Sequence, residues 1–391
     1  MRGDNSAVGR EIGRGRRGGR RRLGGRVGLL LSSLVLLAAL GEASLRWCPA
    51  GVLPDEIQQW RTDDLSGYDP AIGTLEPPHH TGLFVGREFR VQYHTDGQGF
   101  RNVGPWPATA ELVVVGDAVV FGYGVEDGQD WPTLLGHAVA PHRVRNLGLV
   151  EAGPQQYARV YATFGTLLHP QLVLVGLAMA DDFRDAELFD DWEHEGSSES
   201  YRAWRAGRDL FGRLAFPLHD VPALLASHSY LYQMLRTSRR LAPPSSHVIW
   251  LLGGGYLQVQ PHRLAAVLTQ AQPEQRAFRL VLDALTYLQA VARAYGTQVL
   301  VVIQPSKEIT YFTLRDAAAP DPSQALRQAL AQRGIASLDL TAVFRQEASK
   351  GEPLFFAANR YPNAQGQALI AHSVTQHLAA SAQAYGISPW E

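Results

Sequence analysis

The sequence predicts a doubly wound α/β fold on a parallel sheet of five strands, and three observations predict it. Short continuous apolar runs recur at 111–116, 144–147, 171–179, 298–305 and 336–341. Apolarity that is continuous rather than alternating marks strands covered on both faces. Helical periodicities fall between the runs, so strand and helix alternate at the spacing of crossover connections. The first run also ends in Gly116-Asp117, the mark of a buried strand feeding a loop.

Each element has its own justification. ELVVVGD (111–117) is the first strand, and a helix over about 130–140 leads to the second, Val144–Leu147. Tyr157, Val160, Tyr161, Phe164 and Leu168 then share one helical face before QLVLVGLAM (171–179). A helix carrying Phe278, Leu282, Leu285 and Leu288, closed by Gly296, precedes QVLVVIQP (298–305). A helix ending at Gly334 leads to ASLDLT (336–341), and the last helix covers about 364–380. Residues 182–262 interrupt the rhythm with an acidic stretch (DAELFDDWEHE), a segment placing Leu224, His228, Leu231 and Leu235 on one face, and the breakers PPSS and GGG. They read as a helical insertion over one sheet edge. The domain is expected over 108–385. Before it, residues 46–107 form a Pro-, Gly- and aromatic-rich extension in which REFRVQYHTDGQGFR resembles a hairpin turning at Asp96-Gly97.

The first 45 residues indicate location. Residues 1–26 hold nine arginines against Asp4 and Glu11, whereas the whole 391-residue chain carries a net charge of −1. This Arg- and Gly-rich arm has no apolar period and is expected to be disordered in the cytoplasm. Next comes VGLLLSSLVLLAALG (27–41), and counting through Leu45 gives 19 residues if Glu42 lies near the far interface. A basic region before such a run marks a signal anchor, 27–45, with the arginines holding the N-terminus inside. Cleavage after Ala43 (GEA) is the competing expectation. The anchored reading puts the main domain in the periplasm of a bacterial inner membrane.

Composition narrows the chemistry. A single cysteine, Cys48, excludes an internal disulfide and a multi-thiolate zinc site. The thirteen histidines show no zinc spacing: His79-His80 lies in a Pro-rich loop, and His372 and His377 are five apart. No metal and no cofactor are expected. The acidic body gives no reason to expect nucleic acid. Trp192, Tyr201, Trp204, Tyr230 and Tyr232 read either as core or as a glycan or partner surface.

Beyond the first strand, VVVGDAVVFGYGVEDGQDWPTLL resembles block I of the SGNH (GDSL) hydrolases, in particular their membrane-anchored extracytoplasmic members. The resemblance covers about 110–185 and 296–380 with blocks in family order, and implies a flavodoxin-like sheet. It also implies acyl transfer by a hydroxyl nucleophile, an imidazole base, an orienting carboxylate and oxyanion donors. Residue by residue, that chemistry has been replaced. Ala118 stands at the nucleophile position. NLGLVE puts Glu151 where block II has its last Gly, and LAMADD puts Ala180 at the oxyanion Asn of block III. Anchoring block V on Asn363 and Gly366 places Asn359 at the acid and Tyr361 at the base. Loss of a triad nucleophile or base costs on the order of a millionfold in turnover. One lost oxyanion donor costs about a hundred- to thousandfold.

The resemblance therefore implies a catalytically dead protein acting as a binding or structural subunit of a membrane-associated complex. It would hold the bilayer through 27–45 and a membrane protein as partner. One alternative is an esterase or O-acyltransferase on extracellular polysaccharide with displaced groups, drawn from Asp117, Glu151, Asp181, Asp182 and Tyr361. Another is a carbohydrate-binding module using the vestigial cleft. Asp117, Asp181, Asp182 and Lys307 are the candidate binding residues. Lys307 lies in PSKEITY (305–311), which is similar to a stretch in SGNH-like proteins of alginate-type O-acetylation systems. Asp117 is expected to hold its loop through backbone N–H groups, and Asp181 and Asp182 to cap the segment that follows.

Overall fold

The computed structural model describes residues 15–47, 69–86, 88–140, 143–195, 200–202, 204, 205, 229, 231, 247–252, 254–312 and 321–387. The expectations for residues 1–14, Cys48, Leu224, His228, Leu235, Tyr230 and Tyr232 lie outside the described residues.

Helix α1 runs Gly15–Trp47. Its stretch Gly28–Trp47, 20 residues of mean hydropathy 1.8, is long and apolar enough to cross a membrane. The leucines from Leu29 to Leu40 are all more than half exposed, so nothing in the described fold covers them. Residues 15–26 are helical where composition argued for disorder. Extending an existing helix avoids a second nucleation.

The extension forms an antiparallel hairpin of β1 (Thr81–Val85) and β2 (Arg90–His94), paired from Thr81↔His94 to Val85↔Arg90. The reversal therefore falls between Val85 and Arg90, not at Asp96-Gly97. Asp96 instead makes a turn after β2, its buried carboxylate accepting from Gln98 N (2.8 Å) and Phe100 N (3.2 Å). Alternation along β2 buries Val91 and Tyr93 and exposes Arg90, Gln92 and His94.

The central sheet follows in chain order. β3 (Leu112–Gly116) leads through short α2 (Ala118–Phe121) and α3 (Trp131–Val139) to β4 (Val144–Gly148). α4 (Pro154–Val160) continues as one π turn and a 3-10 turn to Leu168 before β5 (Leu172–Ala178) and α5 (Asp182–Glu195). After the insertion come β6 (His247–Trp250), β7 (Tyr256–Val259), α6 (Pro261–Gln270), α7 (Arg276–Ala294) and β8 (Gln298–Gln304). The chain ends with α8 (Lys307–Phe312), α9 (Gln324–Gln332), β9 (Ala336–Asp339), α10 (Thr341–Ser349) and α11 (Ala364–Tyr385).

Five strands form one parallel sheet in the order β4-β3-β5-β8-β9. Alternate residues feed two cores. Val113, Val115, Val173, Val175, Val301 and Ile303 meet α4 and α7 on one face. Leu112, Val114, Leu172, Leu174, Leu300 and Val302 meet α3, α10 and α11 on the other. Burial on both faces is why these strands read as continuous apolar runs. The order reverses between β3 and β5, which opens a crevice at their carboxyl ends. Gly148, Gly116 and Gly176 lie side by side across β4, β3 and β5. A Cβ on Gly116 or Gly176 would sit 2.2 or 2.4 Å from Val120 Cγ2, so this trough lets α2 lie directly on the sheet.

The insertion is not wholly helical. Its described end is the antiparallel hairpin β6–β7, with Ile249, Leu257 and Val259 inward and Val248, Trp250 and Tyr256 outward. Gly254 and Gly255, from the GGG read as a breaker, take φ near +88° in its turn. Trp192, Tyr201 and Trp204 cluster with Phe189 and are buried, which makes them core rather than a binding surface.

Candidate functional site

The crevice residues come from four strand ends, those of β3, β4, β5 and β8, and the loop before α11. Asp117 leaves β3 and caps α2, its carboxylate accepting from Val119 N at 2.9 Å. That capping places Ala118 at the first position of α2. Its methyl is 2% exposed and packs in a cluster with Phe84, Phe89, Tyr93, Phe121 and Tyr123. The β1–β2 hairpin thus roofs the position at which the resemblance puts a nucleophile.

Glu151, after β4, has φ +62°. That left-handed conformation is one glycine adopts freely, and Glu151 stands where the family pattern has Gly. Partial desolvation of its side chain, which is 43% exposed, pulls the carboxyl upward, but Arg205, Arg202, Arg360 and Arg184 together hold it below the usual range. Ala180, after β5, brings a methyl to the crevice and no donor.

Asp181 and Asp182 divide the work at that strand end. Asp182 is fully buried and accepts from Tyr157 Oη (2.7 Å) and Ala178 N (2.9 Å). Burial, then the neighbouring Asp117, pushes its carboxyl well above the ordinary value. Asp181 faces the crevice and pairs with Arg360 (Nη1–Oδ1, 3.1 Å). Burial opposes its ionisation, yet Arg360, Arg184 and Arg263 outweigh it and keep it low. Asp117 goes the other way. Burial is the largest cause, the Val119 N–H counters it, and Asp181 and Asp185 add to it, leaving Asp117 at about 8.

The loop 356–361 carries the block V positions and is fastened from two sides. Lys307, 1% exposed, donates from Nζ to Phe356 O (3.1 Å), Ala357 O (3.1 Å) and Asn359 O (2.7 Å). Those bonds use all three ammonium protons. Lys307, a candidate binding residue from its sequence, is spent inside the fold. Burial lowers it to about 8, against Glu308 and Glu88. From the hairpin turn, Glu88 accepts the N–H groups of Ala357, Ala358 (2.8 Å) and Asn359 (2.8 Å). Asn359 turns its own Oδ1 onto Tyr361 N (3.2 Å). Tyr361 accepts from Arg360 Nη2 at 2.9 Å, and its ring centroid lies 4.9 Å from that of Tyr123. Burial raises its phenol, against the pull of Arg360.

Between these groups lies a narrow cleft walled by Val119, Ala178, Phe355 and Ile370, with Asp181, Ser306, Arg360 and Tyr361 among its polar lining. Gln304, at the end of β8, reaches into it. Its side chain is 2% exposed, and neither Oε1 nor Nε2 has a hydrogen-bond partner among the described residues. Among the described residues no group of three or more His, Cys, Asp or Glu is placed to hold a metal ion.

The structure thus brings Ala180, Asp181 and Tyr361 to one cleft, with Ala118 in the aromatic cluster against which Tyr361 packs, and Asp117, Glu151, Asp182 and Asn359 on the adjoining strand ends and loop. Reasoning from sequence missed Glu88, Arg360 and Gln304. Glu88 and Arg360 act through a fold contact between the extension and the last loop, and no local spacing signals such a contact. Gln304 had a signal, a polar residue closing an apolar strand.

Comparison with known proteins bears on the same fold. Residues 264–389 match the family model described as SGNH hydrolase-like domain, acetyltransferase AlgX. A search of curated proteins finds no match. Among solved structures the chain is similar to a member of the lipolytic protein G-D-S-L family from Veillonella parvula. The identity is 12%, with 68% of this chain and 97% of that chain covered and a TM-score of 0.35. It is also similar to a catalytic mutant of an acetylxylan esterase from Geobacillus stearothermophilus, at 13% identity over 72% of this chain and 97% of that one, TM-score 0.36. The five-stranded parallel sheet, its flanking helices and the family match together make this an α/β fold of the SGNH hydrolase-like kind.

Proposed function

We propose that this chain is a non-hydrolytic SGNH-fold subunit, held at the outer face of a bacterial inner membrane by α1 and bound there to a membrane-protein partner. One observation carries the reading: the methyl of Ala118 is sealed under the hairpin's aromatic cluster at the position that resembles a nucleophile site. The surrounding groups support it. Tyr361 is a phenol with raised pKa bonded to Arg360, and the Asp117 carboxylate is spent on capping α2 through Val119 N. The family match carries the description acetyltransferase AlgX, which makes polysaccharide-modifying machinery one setting for the partner.

The test is a pull-down through a C-terminal tag from native membranes in mild detergent. A partner in fixed ratio is the expected result. A protein that comes down alone, or one that hydrolyses p-nitrophenyl acetate above a heat-killed control, overturns the reading. The unpaired amide of Gln304 favours a second reading, in which the cleft binds a saccharide hydroxyl that both donates and accepts. A specific oligosaccharide would then raise the melting temperature, and the gain would vanish in Gln304→Leu. No shift across a broad panel removes that reading.

A further inference from the structure

The far end of α1 is not free. Through Leu40 its leucines are exposed, but Gly41, Glu42, Ala43 and Leu45 are half-buried. Burial begins where the insertion touches the helix: a Cβ on Gly41 would lie 3.6 Å from both Cδ atoms of Leu231. Beside it, the Glu42 carboxylate is shared. Oε1 accepts from Arg46 Nε at 2.9 Å, one turn along the same helix. Oε2 accepts from Ser229 Oγ at 2.9 Å and from Leu231 N at 2.8 Å.

A carboxylate in the last turns of an apolar, membrane-length helix is costly unless paired. Glu42 is paired within its helix and across to a segment 187 residues away in sequence. Ionised acceptors make the stronger hydrogen bonds, so this carboxylate is well placed to hold another part of the chain.

We propose that α1 is retained in the mature protein and docks through Glu42 onto the insertion at Ser229 and Leu231, which seats the insertion at the outer surface of the membrane. The proposal rests on the membrane-anchored reading above and adds to it. Processing after Ala43 would remove Glu42 and with it the carboxylate to which Ser229 Oγ and Leu231 N donate. Retention makes the helix a structural part of the fold, and any partner of the insertion must meet it at the level of the lipid headgroups.

The test uses the full chain in native membranes with Cys48→Ser and the pair Gly41→Cys/Leu231→Cys, oxidised and read by mass spectrometry of the linked peptides. Gly41→Cys/Val103→Cys is the control, because Val103 is 76% exposed. Cross-linking of 41 to 231 should exceed the control at least about tenfold, and adding Glu42→Ala should cut it about tenfold. Intact mass and alkaline extraction are read on the same samples. A mature chain starting at Ser44 overturns both the anchored reading and the docking. A full-length chain resistant to extraction, but with 41–231 linkage no better than control, overturns the docking alone. Linkage indifferent to Glu42→Ala removes Glu42 as the fastener.

Discussion

Two parts of the crevice are held in place by opposite means. Under α2, the strand ends of β4, β3 and β5 approach by absence: Gly148, Gly116 and Gly176 offer no side chain, and Val120 fills the trough. On the other side, the loop 356–361 is held by presence, with Lys307 on its carbonyls and Glu88 on its N–H groups. The glycine trough shapes the backbone that any protein of this fold needs. The double clamp fixes the loop whose positions resemble the family's acid and base. The difference teaches that a close approach of backbone is built by leaving side chains out, whereas an irregular loop is held by satisfying its backbone groups with buried charges.

The largest expected effect breaks the trough. A Cβ at residue 148 would lie 2.5 Å from Phe121 N and 2.8 Å from Val120 C, both backbone atoms that cannot step aside. Gly148→Ala should therefore cost about 3 kcal/mol, read as a lowered denaturation midpoint, and should detach α2 from the sheet. A loss below about 1 kcal/mol would mean that α2 can shift, and that the trough is not what positions Ala118.

The clamp should be weaker but still cooperative. Lys307→Met leaves three carbonyls facing a thioether and should cost about 2 kcal/mol. Glu88→Gln keeps one acceptor and should cost about 1 kcal/mol, because an amide oxygen replaces a charge-assisted bond. The double variant should cost less than the two added together, since each single change already loosens the same loop. Strict additivity in chemical denaturation would show that the two residues hold separate structures.

These contrasts also explain what the sequence made legible. The five strands were visible because burial on both faces writes continuous apolar runs, and Leu112–Gly116 and Leu172–Ala178 are buried throughout. The crevice positions were visible because Gly116-Asp117 sits at a strand end and Asn363 at a helix start. The hairpin turn was misplaced because Asp96-Gly97 has turn chemistry wherever it stands, and only pairing with β1 shows which reversal joins two strands. Lys307 was misread for a related reason. Its three acceptors lie about fifty residues away in sequence, and only the folded chain brings them round it.

A smaller effect concerns pH. Asp117 has an ordinary value of 3.8 and stands at about 8 in the fold, so between those values the native state holds a proton that the unfolded chain has lost. Its contribution to stability is complete below about pH 4, declines as pH rises towards 8, and is gone above it. Asp182 is displaced in the same direction by burial and by Asp117 itself, so the two carboxyls share the slope. Asp117→Asn keeps an acceptor for Val119 N and removes one proton from that balance. Its unfolding free energy should fall less steeply between pH 5 and 8, by up to about 1.4 kcal/mol per pH unit. Equal slopes for the two proteins would place the bound proton elsewhere.

The smallest expected effect is the sharpest test of the comparison. Ala118→Ser returns a hydroxyl to the first residue of α2 at almost no cost in volume, so stability should change by less than about 1 kcal/mol. Turnover of p-nitrophenyl acetate should stay at the level of the parent chain. The hydroxyl would point into the cluster of Phe84, Phe89 and Tyr123, and the nearest block V side chain is a phenol held by Arg360. A serine without a base at hydrogen-bond distance stays a neutral alcohol. Adding Tyr361→His supplies an imidazole, but it leaves Ala180 without a donor and Glu151 beside the space for the developing anion. The double variant should still show no burst of released nitrophenol. A burst there would mean that the crevice kept its electrostatics and lost only its reacting groups, and the loop clamp would then be a support for chemistry rather than a replacement for it.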